Sequence, residues 1–124
     1  MPNTGPFNFD FLESFGVPLR RFKAGDVLFE KGEAGDTMVL VLEGKIDVRV
    51  GDKVVETAGL YDILGEMALL DAAPRSATAK AATTGEVAVI DRQTFLDLVR
   101  ENPAFSLYVM RRMAARIRRM NDSA

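Results

Sequence analysis

Between Arg20 and Gly65 a glycine recurs every three to nine residues, at positions 25, 32, 35, 44, 51, 59 and 65, and only short apolar runs fit between them. Helices of ordinary length are poorly served by that spacing, because a glycine inside a helix costs about 1 kcal/mol relative to alanine. Short strands joined by tight turns fit it well. Lys45-Ile46-Asp47-Val48-Arg49-Val50 alternates strictly, which predicts Ile46, Val48 and Val50 facing a core with the charges in water. Gly51-Asp52 then supplies a two-residue hairpin turn. Met38 to Leu42 is apolar at every position, as expected of a strand covered on both faces, and Glu43-Gly44 ends it. Val54-Val55, Ala77-Thr78-Ala79 and Val87 to Ile90 add further short strands. About eight strands of this size make a mainly-β fold, an eight-stranded jelly-roll barrel.

The flanks have a different texture. Met1 to Pro6 is a small polar tail, and Phe9, Phe11, Leu12 and Phe15 then predict a short helix ending near Gly16 and Pro18. After Asp91 the spacing becomes helical: Thr94 is placed to cap a helix with Phe95, Leu98 and Val99 on its apolar face, and Asn102-Pro103 stops it. A last helix carries Phe105, Val109, Met113, Ile117 and Met120 as one stripe, to be covered by the barrel, by a second subunit or by both. The expected layout is a tail and short helix over 1–19, a barrel over 20–91, helices over 92–120 and a tail over 121–124.

The 124 residues contain neither histidine nor cysteine. That removes the commonest general base, the commonest zinc ligand, thiolate nucleophiles and iron–sulfur ligation together. A binding module is favoured over an enzyme, and no metal site is expected. The longest apolar run is five residues, far short of a membrane span or the apolar part of a signal peptide. A cytoplasmic setting is expected. Residues 1–102 hold 11 Lys/Arg against 17 Asp/Glu, whereas the last 22 residues hold five arginines against Asp122. The basic tail reads first as a solvated helix face that complements the helix dipole.

Gly65-Glu66-Met67-Ala68-Leu69-Leu70 breaks the strand rhythm: good helix formers follow a glycine, and Pro74 then forces the chain extended before Arg75-Ser76-Ala77-Thr78. A helical turn leaves its first N–H groups unpaired and its positive dipole end free, and Arg75 adds planar, bidentate donors that match phosphate oxygens. Glu66 would repel phosphate but suits a sugar hydroxyl. Together they describe a sugar phosphate.

This run resembles the phosphate-binding cassette of the cyclic nucleotide-binding domain family, found in the catabolite activator protein, protein kinase A regulatory subunits and cyclic-nucleotide-gated channels. Phe22, Gly25-Asp26, Gly32, Gly35-Asp36 and Glu43-Gly44 also fall where the turns of that family's barrel lie, so the resemblance spans roughly Arg20 to Met120. It implies that Arg75 pairs with the cyclic phosphate and that Glu66 accepts from the ribose 2′-OH. Backbone donors of Ala68 and Ala77, near Gly65 and Met67, complete the cradle. Ser76 follows the arginine at a position that helps choose the base, and its hydroxyl leaves cyclic AMP and cyclic GMP both open. Val48 and Leu64 are implied pocket walls, and Arg116, Arg112 or Ile117 a contact from the lid helix over the base. The chain departs from the family pattern at Met38-Val39, where aromatics are common, at Leu60-Tyr61 in place of Pro-Gly, and at Leu64 in place of phenylalanine.

The resemblance implies a sensor whose C-terminal helices move on occupancy, with no further cofactor. The alternative is an interaction or dimerisation domain that keeps the fold without the ligand. A helix-turn-helix would need more chain after Ala124, so no DNA-binding domain is expected, and the output falls to a homodimer or a separate effector protein. Asp62, Glu66 and Asp71 as an acid/base set for glycoside hydrolysis would need a substrate cleft larger than this chain supports. A cupin-type metalloenzyme would need histidines.

Overall fold

The structure, a computed structural model, describes residues 12, 15–71 and 73–122. The chain divides into two compact units, one formed by Val17–Arg92 and one by Gln93–Ala124 together with the N-terminal residues. The short helix expected around Phe9 to Phe15 falls largely outside the described residues, which there include only Leu12 and Phe15.

Eight strands make the first unit: β1 (Leu19–Phe22), β2 (Val27–Phe29), β3 (Thr37–Glu43), β4 (Ile46–Val50), β5 (Lys53–Ala58), β6 (Ile63–Leu64), β7 (Thr78–Ala81) and β8 (Gly85–Asp91). They form two four-stranded antiparallel sheets of a jelly roll, ordered β1-β8-β3-β6 and β2-β7-β4-β5. The sheets are separate and do not close on each other, so the expected barrel is open. Phe22, Val39, Val41, Leu64 and Val87 of the first sheet pack with Ile46, Ala58, Ala79 and Ala81 of the second. Large side chains thus meet small ones, which lets the two inner faces approach and interdigitate. Each large member contributes about 1.5–3 kcal/mol through burial.

The register explains why β3 is apolar throughout. Val39 and Val41 point into this core, while Met38 and Leu40 alternate to the reverse face, where they pair with Ile90 and Ala88 and are fully buried. Helix α1 (Glu66–Asp71) packs against β3, burying Ala68 and Leu69. The β4–β5 hairpin turns at Gly51-Asp52, as its sequence predicts, with Gly51 at φ 62°. Only part of its expected alternation holds: Ile46 is buried and Val48 half-buried, but Val50 is 40% exposed. A bulge beside Val48 and Arg49 leaves Val55 unmatched and interrupts the ladder, and Val50 stands at the turn, past Arg49, the last residue of β4 that pairs with β7.

In the second unit α2 spans Arg92–Glu101 and α3 spans Ala104–Asp122. The first begins two residues before Thr94, directly after Asp91, a residue type that suits the cap position equally well. Asn102-Pro103 separates the helices as expected: Asn102 N–H donates to Leu98 O at 2.8 Å, and Asn102 O accepts from Phe105 N–H at 2.9 Å. Leu98 and Phe105 are fully buried, and the Phe105 ring lies 5.9 Å from that of Phe95. Of the predicted stripe on α3, the single chain covers only the first part. Phe105, Tyr108 and Val109 are buried, but Ile117 is 58% exposed. Steps of four residues drift by about 40° on a helix of 3.6 residues per turn, so three steps carry Ile117 roughly 120° round from Phe105. No helix among the described residues is long and apolar enough to cross a membrane.

Gly85, where β8 crosses Phe22 and Glu43, has no room for a side chain: a Cβ there would overlap Glu43 O and the tip of the Phe22 ring. Gly59 has nothing within 4 Å of the same position and an ordinary φ. Gly85→Ala is expected to destabilise the protein by about 1–3 kcal/mol, as overpacking does, and Gly59→Ala to change stability by less than about 1 kcal/mol. Denaturant melts of the two variants check both values.

Candidate functional site

Arg75 is the organising residue. Pro74 keeps the chain extended, and two backbone bonds then pin Arg75 to the turn after β2: its N–H donates to Glu33 O at 2.9 Å, and its carbonyl accepts from Gly32 N–H at 2.8 Å. Lys31 N–H donates to Thr78 Oγ1 at 3.0 Å and ties the same turn to the start of β7. The side chain is consequently delivered inward, 9% exposed. Its Nη1 donates to Thr37 O at 2.7 Å and, at 3.4 Å, to Gly65 O, while Nη2 donates to Thr37 Oγ1 at 3.1 Å. The guanidinium lies 4.2 Å from the centroid of the Phe29 ring, a cation–π arrangement.

Two glycines make space for this group. A Cβ on Gly35 would collide with Nε, Cζ and Nη2 of Arg75, and one on Gly65 with Nη1. Gly65 also has φ 80°, a conformation that glycine adopts without steric penalty. Among the described residues Arg75 forms no ion pair, and its Nε is buried with no hydrogen-bond partner. Burial pushes the guanidinium below its ordinary pKa, an effect that the nearby carboxylates of Asp36 and then Glu33 oppose. A desolvated cation with one unused donor is costly unless it meets an anion.

Glu66 is the first residue of α1 and is itself 7% exposed, next to the carbonyl of Gly65 that Arg75 touches. The structure thus brings Gly65 and Arg75 into contact, with Glu66 the next residue in the chain. Ala68 is buried, and its N–H donates to Gly65 O at 3.1 Å, closing the first turn of α1. Met67 points outward, 48% exposed; Ser76 is exposed and Ala77 half-buried. Leu64 belongs to the intersheet core and Val48 packs against it. Arg112, Arg116 and Ile117 lie on α3 in the other compact unit, where Arg112 stands 5.9 Å from the Tyr108 ring centroid.

Sequence reasoning missed Thr37, which supplies two of Arg75's three acceptors, Phe29, and the clearance made by Gly35. The signal for Thr37 was slight: a small hydroxyl opening the strand that pairs, through Val39 and Leu64, with the strand leading into α1. At Leu60-Tyr61 the sequence lacks the glycine common at such a turn, yet the backbone keeps the form, with Tyr61 at φ 66°. Its N–H donates to Val41 O at 2.7 Å, and Asp62 N–H closes the turn on Gly59 O at 3.0 Å.

Residues 19–102 match the family model of the cyclic nucleotide-binding domain. A cGMP-dependent protein kinase of Plasmodium berghei is 42% identical over 74 residues, covering 60% of this chain and 9% of that protein. A CRP-like cAMP-activated global transcriptional regulator of Mycobacterium tuberculosis is 28% identical over 107 residues, covering 82% of this chain and 48% of that protein. The chain thus spans less than half the length of either relative. Among solved structures, the catabolite activator protein of Thermus thermophilus superposes with a TM-score of 0.79 at 27% identity, over 98% of this chain and 59% of that one. The family model covers most of the chain and the two-sheet jelly roll agrees with it, so the chain belongs to the cyclic nucleotide-binding domain family.

Proposed function

We propose that this chain is a regulatory module that binds a cyclic mononucleotide, cyclic AMP or cyclic GMP, and reports occupancy through its C-terminal helices. The observation that carries this reading is the buried, ion-pair-free guanidinium of Arg75 with its unpaired Nε. A cyclic phosphate supplies the direct ion pair that no described carboxylate makes, taking Nε and sharing the Nη donors that Thr37 and Gly65 now occupy. Glu66 accepts from the ribose 2′-OH. The cradle is completed by the backbone around Gly65, Met67, Ala68 and Ala77. Ser76 faces the base, with Val48 and Leu64 as walls and Arg112, Arg116 or Ile117 as the lid contact. Occupancy biases the position of α2 and α3, and the output passes to a second copy or to a separate effector in the cytoplasm.

Such a module needs no catalytic residue, and the chain has no histidine or cysteine to offer one. The reading in which the fold serves only association draws on Leu107, Met110 and Ile117, all more than half exposed on α3. An intact Arg75 and Glu66 favour ligand binding over it.

After unfolding and refolding to strip carried-over nucleotide, the melting temperature is measured with cyclic AMP, cyclic GMP and 5′-AMP. Ligand at about 100 times its dissociation constant adds roughly 2.7 kcal/mol, so a cyclic mononucleotide is expected to raise the midpoint by several degrees. Arg75→Ala removes a buried partner of the phosphate and is expected to cost about 2–5 kcal/mol of binding, about 30-fold to several-thousandfold in affinity. Glu66→Gln keeps an oxygen acceptor while losing the charge and is expected to cost less. Gly35→Ala leaves every charge in place but drives a methyl into the guanidinium, so it is expected to keep the fold and weaken binding on the order of tenfold. A folded protein whose midpoint no cyclic nucleotide moves refutes the ligand-binding reading.

A further inference from the structure

Thr37 offers Arg75 two acceptors of different kinds. Its carbonyl oxygen takes Nη1 at 2.7 Å, and its hydroxyl oxygen takes Nη2 at 3.1 Å. A guanidinium carries five N–H donors in one plane, one on Nε and two on each Nη. Two oxygens of a single residue lie close together, so they meet the N–H groups that point side by side from Nη1 and Nη2 at the end of the fork. Gly65 O draws on Nη1 again at 3.4 Å. Nε is then the one guanidinium nitrogen without an acceptor, and Nη2 spends only one of its two N–H groups among the described residues. These two donors share the side edge of the group, and such an edge matches two oxygens of a phosphate.

The carbonyl at position 37 would be there with any residue; the hydroxyl is what threonine adds. Thr37 is half-buried, opens β3 and pairs across to Asp91 of β8, so its oxygens stand on a fixed strand. The Phe29 ring holds the face of the guanidinium but leaves its rotation within the plane unset. Resting on the phosphate reading of Arg75, we infer that the Thr37 hydroxyl is a positioning group: it fixes that rotation so that the Nε–Nη2 edge, and not the Nη1–Nη2 end, receives the phosphate. A third phosphate contact could come only from Nη1, whose acceptors would have to yield. The hydroxyl then adds affinity through Arg75 without touching the ligand. An oxygen that merely filled Nη2 in the empty site would do the reverse, because removing it would free a donor for the ligand.

Dissociation constants for cyclic AMP and cyclic GMP are measured by calorimetry on refolded, nucleotide-free wild type, Thr37→Val, Thr37→Ser, Arg75→Lys and the double variant Thr37→Val with Arg75→Lys. Valine copies the shape of threonine and suits a strand but brings no oxygen, whereas serine keeps the hydroxyl. Lysine keeps the charge and has no planar fork to orient. For a nucleotide that binds wild type, Thr37→Val is expected to raise the dissociation constant about five- to tenfold and Thr37→Ser to stay within about threefold of wild type. With lysine at position 75, Thr37→Val is expected to cost less than about twofold, since the effect runs through the guanidinium. If Thr37→Val does not fold, Thr37→Ala removes the same oxygen and takes its place. Affinity in Thr37→Val equal to or above that of wild type overturns the inference. So does a serine variant that binds no better than the valine one, or an equal loss in the arginine and lysine backgrounds, the mark of a general effect on the fold. In those three cases the phosphate site stands, because wild type binds. If neither nucleotide binds the folded wild-type protein, the phosphate reading falls and the inference with it.

Discussion

A guanidinium held out of water without a carboxylate partner is an unstable arrangement unless the chain around it leaves little choice. Here Arg75 is fixed by backbone bonds to Gly32 and Glu33, by two oxygens of Thr37 and by the carbonyl of Gly65. These contacts join three segments that are distant in sequence: the turn after β2, the first residue of β3 and the start of α1. The two sheets exist in part to hold those segments in register. Val39 pairs with Leu64, so the strand opened by Thr37 lies beside the strand that ends at Gly65. Placement of α1, clearance at Gly35 and burial of Glu66 all follow from where that one side chain must sit.

In the function proposed here, the same contacts would make capture of a phosphate at Arg75 an exchange and not a simple addition. Nε alone is unused, so a phosphate seeking two or three donors competes with Thr37 and Gly65 for the rest. Net hydrogen-bond gains are small when one partner replaces another, and the larger gain lies in supplying a counter-charge to a desolvated cation. Because those acceptors belong to β3 and to the turn before α1, a ligand that displaced them would change contacts in both.

Much of this was legible in the residues, for physical reasons. The Gly51-Asp52 turn and the Asn102-Pro103 break are local signals whose cause lies within a few residues, and both are realised; the alternation at 45–50 holds for Ile46 and Val48. The approach of Arg75 to the start of α1, where its Nη1 donates to Gly65 O, was legible because a helix start and an arginine after proline have a joint chemistry. What escaped depends on distance. Val50 keeps the alternation but stands past the last pair that β4 makes with β7, which its own sequence cannot report. Ile117 follows Phe105 at helical spacing, yet the accumulated rotation takes it off the buried face. Thr37 and Phe29 matter only because pairing and a turn bring them beside a residue about 40 positions later. An open pair of sheets and a closed barrel share one alternation pattern, so closure was not decidable from periodicity.

Openness also has a cost at the margin of the molecule. Strand β5 lies at the end of its sheet, and its Val54 and Val55 are both exposed, 43% and 52%. Its outer row of backbone groups is a template on which a foreign strand could grow, and two adjacent valines are favourable residues for such growth. The unmatched Val55 counters this by breaking the even ladder, and Lys53 and Glu56 bracket the valines with opposite charges that an incoming copy would have to match. A bulge that first reads as an irregularity in one hairpin thus guards the protein against runaway self-templating, and smoothing it away would trade solubility for regularity.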